Sequence, residues 1–484
     1  MKPFTIELKR GDRKDPLYLQ LYKYIRAEIV SGSLSKGTKL PALRRIAEDQ
    51  NLSITTVEQA YNQLAVEGYV ESKPQSGFYV AEIPGPAMVG TISDAGTEND
   101  AAGYIGTGGR SADFASTKTL SDYTISESKY ITDDAAFDFK KWRKVMLRVF
   151  DQHTDLLMQE GDPQGEPALR YEISKYVLNS RGVRCKPDQI IIGAGTQQIT
   201  AHIGRLLRLL GIHIVCTEEP GYLPVNTIFQ DQGYILNKIP VTLQGISIEN
   251  LPGSKAAVYV CPNNQFPTGA VMPIGNRYSM LEWARSTGSL IIEDDYDSEL
   301  RYFGRPISSL QGLEPYGEES HVLYLGSFSS TLFPSIKISY MVLPEQIMKF
   351  MGSLLEGYNQ TCSKTEQLAL AYFMEDGHYY TNIKKLRNLC GRKLAACLRV
   401  VESYPKDKIS ADRTESGLNL ILRVSTGKSP EEMSEIASDM GIMVVTSKDI
   451  PESGGKKGVI FYYSRLPEDC IESLTEKMIE AWLN

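Results

Sequence analysis

The sequence has no long hydrophobic run, and its cysteines and histidines are few and scattered. A membrane-spanning helix needs about 18 or more consecutive apolar residues, and no stretch of this chain approaches that length. The N-terminus also lacks the apolar segment of a secretory signal peptide. The seven cysteines form no Cys-x-x-Cys pair, and the five histidines show no metal-ligand spacing. We therefore expect a cytoplasmic protein with no disulfide framework, no metal site and no membrane partner.

The charge is negative overall but unevenly spread along the 484 residues. The net charge of −7 excludes a strong general attraction to nucleic acid. Residues 1–80, however, carry 12 Lys and Arg against 9 Asp and Glu, whereas the rest of the chain carries 40 against 50. A mildly basic module on an acidic body is compatible with local DNA binding. The length predicts two to four domains.

Residues 1–81 show helical periodicity followed by strand-like alternation. Ser53 can cap the third helix of this stretch. The predicted elements are helices over Pro16–Val30, from Leu40 and Pro41 onward, and over Ile54–Glu67, then strands over 69–72 and 77–80. That order predicts a winged helix-turn-helix domain. A three-helix packing domain with incidental charges is the alternative that periodicity alone leaves open.

A helix fits the major groove of DNA, and its first residues reach the base edges. The third helix would place Thr55, Thr56 and Gln59 there, while Arg44 and Lys73 would lie against phosphates. The candidate DNA-binding residues are Arg44, Arg45, Ser53, Thr55, Thr56, Gln59, Lys73 and Ser76. The expected partner is a double-stranded DNA operator.

This module resembles a GntR-type domain over residues 16–80. The resemblance is carried by Leu40-Pro41-x-x-Arg44, Ser53-x-x-Thr56-Val57, Ala60-Tyr61-x-x-Leu64, Glu67-Gly68-Tyr69 and Ser76-Gly77-Phe78. One position departs from it, because Ile54 stands where the family often has Arg. The operator that the domain reads is therefore expected to differ.

A flexible linker is predicted at 82–111, because this stretch is rich in Gly, Ala, Ser and Asp and lacks apolar periodicity. Strands and helical stretches then alternate through 112–484. The predicted strands are Gln189–Ile192, His213–Cys216, Ala257–Cys261, Leu290–Glu293, Val322–Leu325 and Ile338–Leu343. This α/β pattern predicts a mainly parallel sheet with helices on both faces, followed by a small subdomain over about 371–484.

Ligands in such sheets gather at the carboxyl ends of the strands. The small residues after the first strand, Gly193–Gln198, suit a phosphate at a helix N-terminus, although any strand-to-helix turn favours glycine there. Tyr222 could stack on a planar ring or simply pack. The apolar strand at 290–292 runs directly into the acidic cluster Glu293–Asp297, which is either a ligand site or a solvated loop.

Taken together, these spacings resemble fold-type I PLP-dependent aminotransferases, and most of all the MocR/GabR transcription regulators. The motifs include Asp162-Pro163-x-Gly165, Glu219-Pro220-Gly221-Tyr222, Gln265-Phe266-Pro267-Thr268-Gly269, Glu293-Asp294-Asp295-Tyr296-Asp297 and Gly326-Ser327-Phe328-Ser329. The resemblance implies Asp294 at the pyridine nitrogen of pyridoxal 5'-phosphate, Tyr296 at the ring hydroxyl and Tyr222 on the ring. The full set of implied cofactor-binding residues is Gly195, Thr196, Gln197, Tyr222, Asp294, Tyr296, Ser327, Ser329, Ser330 and Lys337.

The departures from that family gather at its reactive end. Ser330 stands at the position of the Schiff-base lysine, and a hydroxyl cannot form an aldimine with the cofactor. Lys337, expected in the strand after the loop, replaces a phosphate-binding Arg. Ile460 stands where an Arg would hold an amino-acid carboxylate, and Arg465 lies nearby in the wrong register. Whether pyridoxal phosphate still binds is left open by the sequence.

The sequence therefore favours a DNA-binding transcriptional regulator without a catalytic residue or transaminase activity. Its aminotransferase-like domain would sense a small-molecule effector, either non-covalently bound pyridoxal phosphate or an amino-acid-like compound. The family implies a head-to-tail homodimer. The alternative is a PLP-dependent aminotransferase with an accessory N-terminal domain, but neither Lys255 nor Lys364 offers a convincing substitute for the lysine. An engineered Lys→Ser variant is a third interpretation.

Overall fold

The computed structural model describes residues 16–50, 52–73, 76–81, 129–302, 307–315, 319–412, 417–447, 450 and 452–484. The predicted linker at 82–111 and positions 74–75 between the two N-terminal strands lie outside these residues. In the described part of the chain, every helix is too short or too polar to cross a membrane.

The N-terminal module is a winged helix-turn-helix, as predicted. Its elements are α1 (Leu17–Val30), α2 (Leu43–Asp49), α3 (Ile54–Val66) and an antiparallel hairpin of β1 (Val70–Lys73) and β2 (Gly77–Val80). Leu21, Ile25, Val57 and Tyr61 pack in its core. Ser53 caps α3 by accepting a hydrogen bond from the Thr56 N–H at 3.0 Å.

The predicted start of the second helix was wrong by three residues. The Leu40 N–H donates to the Phe78 carbonyl oxygen at 2.9 Å, and Lys39 bridges to Tyr79. Residues 39–40 therefore pair with the wing hairpin, and Ala42 keeps an extended ψ of 145°. The helix begins only after this pairing ends.

The large domain is built on an eight-stranded sheet. Its strands are β3 (Ile190–Ala194), β4 (Ile214–Glu219), β5 (Ile235–Thr242), β6 (Gly245–Ile246), β7 (Ala257–Val260), β8 (Leu290–Asp294), β9 (Val322–Ser327) and β10 (Ile338–Val342), in the order β3-β10-β9-β8-β7-β4-β5-β6. Strands β5, β4, β7, β8 and β9 run parallel, while β10 is antiparallel to both of its neighbours. All six predicted strands form, and β5 and β6, the last two strands at one end of the sheet, were missed.

Helices cover both faces of this sheet, which confirms the predicted α/β layering. They are α4 (Phe139–Gln152), α5 (Thr154–Leu157), α6 (Pro167–Arg181), α7 (Thr196–Leu209), α8 (Leu223–Asp231), α9 (Ile274–Thr287), α10 (Leu310–Leu313), α11 (Glu345–Met348), α12 (Met351–Leu355) and α13 (Lys364–Glu375). Successive side chains of β9 point into opposite cores, Tyr324 into one and Leu323 and Leu325 into the other. This alternation is the period of two expected for a strand covered on both faces.

The C-terminal part forms a second layer of helices on a small sheet. After the long helix α14 (His378–Ser403) come β11 (Ile409–Ala411), β12 (Leu420–Val424), α15 (Pro430–Asp439), β13 (Val444–Val445), β14 (Lys457–Phe461) and α16 (Ile471–Leu483). The strand order is β11-β12-β14-β13. Trp482 is fully buried in this core, and its indole N–H donates to the Met433 carbonyl oxygen at 2.9 Å.

The end of α3 rests on the start of α9, so the N-terminal module contacts the large domain. The Ile274 N–H donates to the Glu67 carbonyl oxygen at 2.8 Å, and the Ile274 side chain is buried in the core of the module. Gly68 has a φ of +78°, and a Cβ at that position would lie 3.3 Å from Pro273. A side chain there would strain both the turn and the contact.

Candidate functional site

One cavity of about 750 Å³ lies at the carboxyl ends of β3, β4, β8 and β9. This is where an open α/β sheet holds its ligands. The structure brings all ten residues singled out from the sequence to the lining of this cavity: Gly195, Thr196, Gln197, Tyr222, Asp294, Tyr296, Ser327, Ser329, Ser330 and Lys337. Their shared location is a fact of the fold, while their role in binding stays a prediction.

One end of the cavity is suited to an anion. Gly195 precedes α7 with a φ of 85°, and no side chain caps the helix, so the free N–H groups of its first turn face outward. The Ser327 hydroxyl accepts hydrogen bonds from the Ser339 hydroxyl at 3.0 Å and from the Ser329 N–H at 3.3 Å. The Lys337 side chain passes 3.8 Å from where a Cβ on Gly195 would lie. Hydroxyl, amide and ammonium donors thus converge there.

The position predicted for Lys337 was wrong. The residue does not belong to the following strand but immediately precedes β10, after a short turn at Pro334–Ile336. Its φ of 48° is in the left-handed region, which costs a bulky residue on the order of 1–3 kcal/mol. In this backbone conformation the Lys337 side chain lies beside Gly195.

The acidic residues of the cluster Glu293–Asp297, at the end of β8 and just after it, are buried, so the cluster is not a solvated loop. Glu293 accepts hydrogen bonds from the Leu310 N–H at 2.8 Å and the Gln311 N–H at 3.2 Å. Asp295 pairs with the buried Arg181 through two hydrogen bonds of 2.6 and 2.5 Å. Both carboxylates have structural roles: Glu293 caps the start of α10, and loss of Asp295 would leave Arg181 as an uncompensated buried charge.

Asp294 is the member of the cluster that faces the cavity. It ends β8 and is 9% exposed, and the Tyr259 hydroxyl donates to its Oδ2 at 2.5 Å. Burial raises the pKa of Asp294 to about 6, against the lowering effect of the Tyr259 hydrogen bond. The group is therefore mostly ionised at neutral pH, as a carboxylate that pairs with a pyridinium nitrogen must be.

Asp297 differs from its neighbours because neither carboxylate oxygen has a hydrogen-bond partner among the described residues. It is 3% exposed and its φ is 53°. Burial raises the pKa of Asp297 to about 7, and the nearby Ser330 and Tyr296 hydroxyls lower it again. The sequence indicated an acidic cluster, but it did not indicate which acid would be left without a partner.

Phe266 is an aromatic residue of the site that was not included in the predicted set. It lines the cavity between Tyr222 and Tyr296, with ring centroids 6.2 Å from each and nearly perpendicular planes. The Gln265-Phe266-Pro267 motif in the sequence could have identified Phe266 as a residue of the site. Tyr222 is 39% exposed and lines the cavity, so part of its ring is accessible to a ligand.

Segments distant in sequence close the cavity, and most of these residues were not predicted. They are Thr132, Asp133 and Ala136 from the start of the described large domain, and Leu386, Cys390, Leu418, Tyr462, Ser464 and Arg465 from the C-terminal part. Arg465, expected to be out of register, reaches the cavity because a short helical turn over Tyr463–Arg465 follows β14. Ile460 instead pairs with Ile421 inside the small sheet.

Lys337 is the one lysine among the described residues of the cavity wall. The Lys364 ammonium donates to the Leu156 and Glu160 carbonyl oxygens at 3.0 and 2.8 Å. The Lys255 ammonium donates to the Leu210 carbonyl oxygen at 2.8 Å. Neither lines the cavity, so neither occupies the place of Ser330.

The eight candidate DNA-contacting residues lie on α2, on or next to α3, and on the wing hairpin. Seven are exposed and Thr56 is half-buried: the exposed ones are Arg44, Arg45, Ser53, Thr55, Gln59, Lys73 and Ser76. The Ser53 and Thr56 hydroxyls lie 2.7 Å apart and bond to each other. Thr55 and Gln59 are therefore the exposed polar side chains at the start of α3 with the greatest freedom to reach a base edge.

Comparisons with known proteins match both halves of the chain. Residues 17–80 match the bacterial regulatory proteins of the gntR family, and residues 124–393 match aminotransferase class I and II. The HTH-type transcriptional regulator YhdI of Bacillus subtilis is 35% identical over 472 residues, which cover 97% of this chain and 96% of that protein. The probable rhizopine catabolism regulatory protein MocR of Rhizobium meliloti is 31% identical over 475 residues, 98% and 95% of the two chains.

Among solved structures, the kynurenine aminotransferase of Pyrococcus horikoshii, in complex with PMP, is similar to the large domain. It aligns with a TM-score of 0.62 at 24% identity and covers 74% of this chain and 91% of that one. At this identity the similarity shows the aminotransferase fold alone.

Proposed function

We propose that this chain, which belongs to the MocR family of DNA-binding transcription regulators, uses its aminotransferase-like domain to sense a small ligand held without a covalent bond. One observation carries the proposal. All ten predicted ligand residues line a single cavity, and Ser330 stands among them where an imine-forming lysine would be expected. The domain would then bind the ligand and change the DNA binding of the N-terminal module, and it would not catalyse transamination.

The residues present fit pyridoxal 5'-phosphate or a close relative. The open N-terminus of α7, the Ser327 hydroxyl and Lys337 suit the phosphate. Asp294, buried and mostly ionised at neutral pH, suits the pyridine nitrogen, and the partly exposed Tyr222 suits the ring. When bound, the cofactor would bring an aldehyde that reacts with amines. This chain's own contribution is to position that group and to restrict its access to water.

The competing function is a PLP-dependent aminotransferase with an accessory DNA-binding domain. An aminotransferase needs a lysine whose amine can reach the aldehyde carbon of the cofactor, as a lysine at position 330 would. Lys337 lies beside Gly195 at the anion end of the cavity, where its charge serves a phosphate. This placement favours the sensing function.

A bonded path joins the cavity to the DNA-binding module. Asp295, next to Asp294, accepts a hydrogen bond from the Asn263 amide at 2.6 Å, and the Asn263 side-chain oxygen accepts one from Arg277 at 2.9 Å. Arg277 belongs to α9, whose first residue holds the end of α3. A ligand that favours one arrangement of these groups would bias the position of the DNA-reading helix.

Two further features complete the proposal. A head-to-tail homodimer would place two winged helices on repeated half-sites of an operator. An amino-acid-like effector could use Arg465, whose guanidinium lies 5.9 Å from the Tyr462 ring at the cavity wall. Because a regulator of this kind acts on the chromosome of its cell, we place it in the cytoplasm.

Asp294→Asn is expected to weaken binding of pyridoxal 5'-phosphate by about tenfold or more, because a charge-assisted hydrogen bond contributes roughly 1.5–3 kcal/mol. The amide keeps the shape and can still accept from Tyr259, but it cannot hold a pyridinium. Isothermal titration calorimetry of the full chain measures the change. Asp439→Asn, an exposed position on α15, is the matched control and should bind as the wild type does. Equal affinities for the two variants would place the cofactor elsewhere.

A further inference from the structure

Among the residues that the structure describes, Asp297 is the one whose carboxylate has both oxygens buried without a hydrogen-bond partner. Only 3% of the residue is exposed, and neither carboxylate oxygen has a hydrogen bond among the described residues. Native proteins rarely leave a buried carboxylate in this state, since desolvating a charge is costly unless it is paired. The arrangement is therefore that of a site completed by another group.

The surroundings of Asp297 indicate where that group would come from. The Ser330 and Tyr296 hydroxyls, which line the cavity, lie near this carboxylate and lower its pKa, although neither makes a hydrogen bond of ordinary geometry to it. Tyr462 and Cys390 also line the cavity, and the pKa of each is raised by burial and, to a smaller extent, by the charge of Asp297. Asp297 itself does not line the cavity, but its neighbours Ser330 and Tyr296 do, so it lies close behind this part of the cavity wall.

Apart from burial, the side chains that change the pKa of Asp297 most are neutral or acidic. They are Ser330, Tyr296, Glu299 and Asp294. The two cations of the wall are placed beside other residues, Lys337 at Gly195 and Arg465 at Tyr462. A lysine at 330 would bring an ammonium to this place, but serine does not. A ligand ammonium would supply the positive charge that the ionised form of Asp297 lacks among these neighbours.

We propose that Asp297 and Ser330 form a subsite for a primary ammonium group, and that the preferred ligand is the amine form of the cofactor, pyridoxamine 5'-phosphate. The inference rests on the proposed function, since it needs the phosphate and ring of the ligand to be held as described above. It goes further by selecting the amine over the aldehyde and alcohol forms. The ligand's ammonium donates to the Ser330 hydroxyl oxygen, and the Asp297 carboxylate behind Ser330 balances its charge.

Pyridoxamine 5'-phosphate and pyridoxine 5'-phosphate provide the test, because they share the ring and the phosphate and differ in an ammonium against a hydroxyl. Calorimetric titration of the full chain is expected to show at least about tenfold tighter binding of the amine, the size of one charge-assisted hydrogen bond. In Asp297→Asn this preference should fall to about twofold or less, with the affinity for pyridoxine 5'-phosphate unchanged. Asp439→Asn is the control and should keep the full preference.

A second variant guards against misfolding of Asp297→Asn. Ser330→Lys supplies the ammonium from the chain itself, so it too is expected to lose the preference for the amine form. Equal binding of the two ligands by the wild type, or a preference that survives both substitutions, would overturn the ammonium subsite while leaving the cofactor pocket intact. Failure of both ligands to bind the wild type would overturn the cofactor pocket, and this inference with it.

Discussion

Ser330→Lys is expected to convert a colourless protein into one that turns yellow with pyridoxal 5'-phosphate. Ser330 lines the same cavity wall as Asp294 and Tyr296, which are placed to hold the ring. A lysine at this position would extend into the cavity and could attack the cofactor aldehyde, giving the visible absorbance of a protein-bound Schiff base. The wild type should show no such band, because a hydroxyl cannot form an imine.

The covalent bond can be trapped and located. Borohydride reduction followed by mass spectrometry of the peptides should place the phosphopyridoxyl group on residue 330 in the variant and on no residue in the wild type. Ser329→Lys is the matched control, since it introduces the same amine one residue away at the anion end, beside Ser327. A trapped adduct on Lys337 in the wild type would contradict our placement of that side chain at the phosphate.

Arg44→Ala is expected to weaken DNA binding by about tenfold on every sequence tested at physiological salt, because one phosphate contact contributes a slope of about 0.9 in the salt dependence of affinity. Arg44 is exposed at the start of α2. Such a contact positions the module without reading bases, so the loss should be uniform across sequences and the salt slope should fall by about one.

Fluorescence anisotropy across a range of salt concentrations measures both quantities. Lys140→Ala, which removes an equal charge from the exposed side of α4 in the large domain, controls for the change in net charge. Gln59→Ala should behave differently, reducing affinity on the operator more than on unrelated DNA. An unchanged salt slope in Arg44→Ala would show that this side chain does not reach a phosphate.

Local sequence signals were sufficient for much of the architecture. The third helix of the winged domain was placed correctly because Ser53 is a capping residue followed by a regular apolar stripe. The buried strands β8 and β9 were found because continuous apolar runs end in turn residues. Strand β5 was missed because it lies near the sheet edge with most of its residues at least partly exposed, so no apolar run marks it.

Contacts between distant segments could not be found in this way. Arg465 reaches the cavity through a turn that follows β14, and Asp133, which lines the same cavity, lies 332 residues before it in the sequence. The pairing of residues 39–40 with the wing hairpin shortened the second helix for the same reason. The isolation of Asp297 is likewise a three-dimensional property, since its sequence neighbours Asp294 and Asp295 both have partners.

The central claim is that ligand occupancy of the aminotransferase-like domain controls DNA binding. Its most direct test is the affinity of the purified full chain for a genomic DNA fragment that it selectively retains, measured with and without saturating pyridoxamine 5'-phosphate. We expect the affinity to change by about 5- to 150-fold, the usual range of coupling between two sites, and the change to be lost in Asp294→Asn. Identical DNA affinities with and without a ligand that calorimetry shows to be bound would contradict the account.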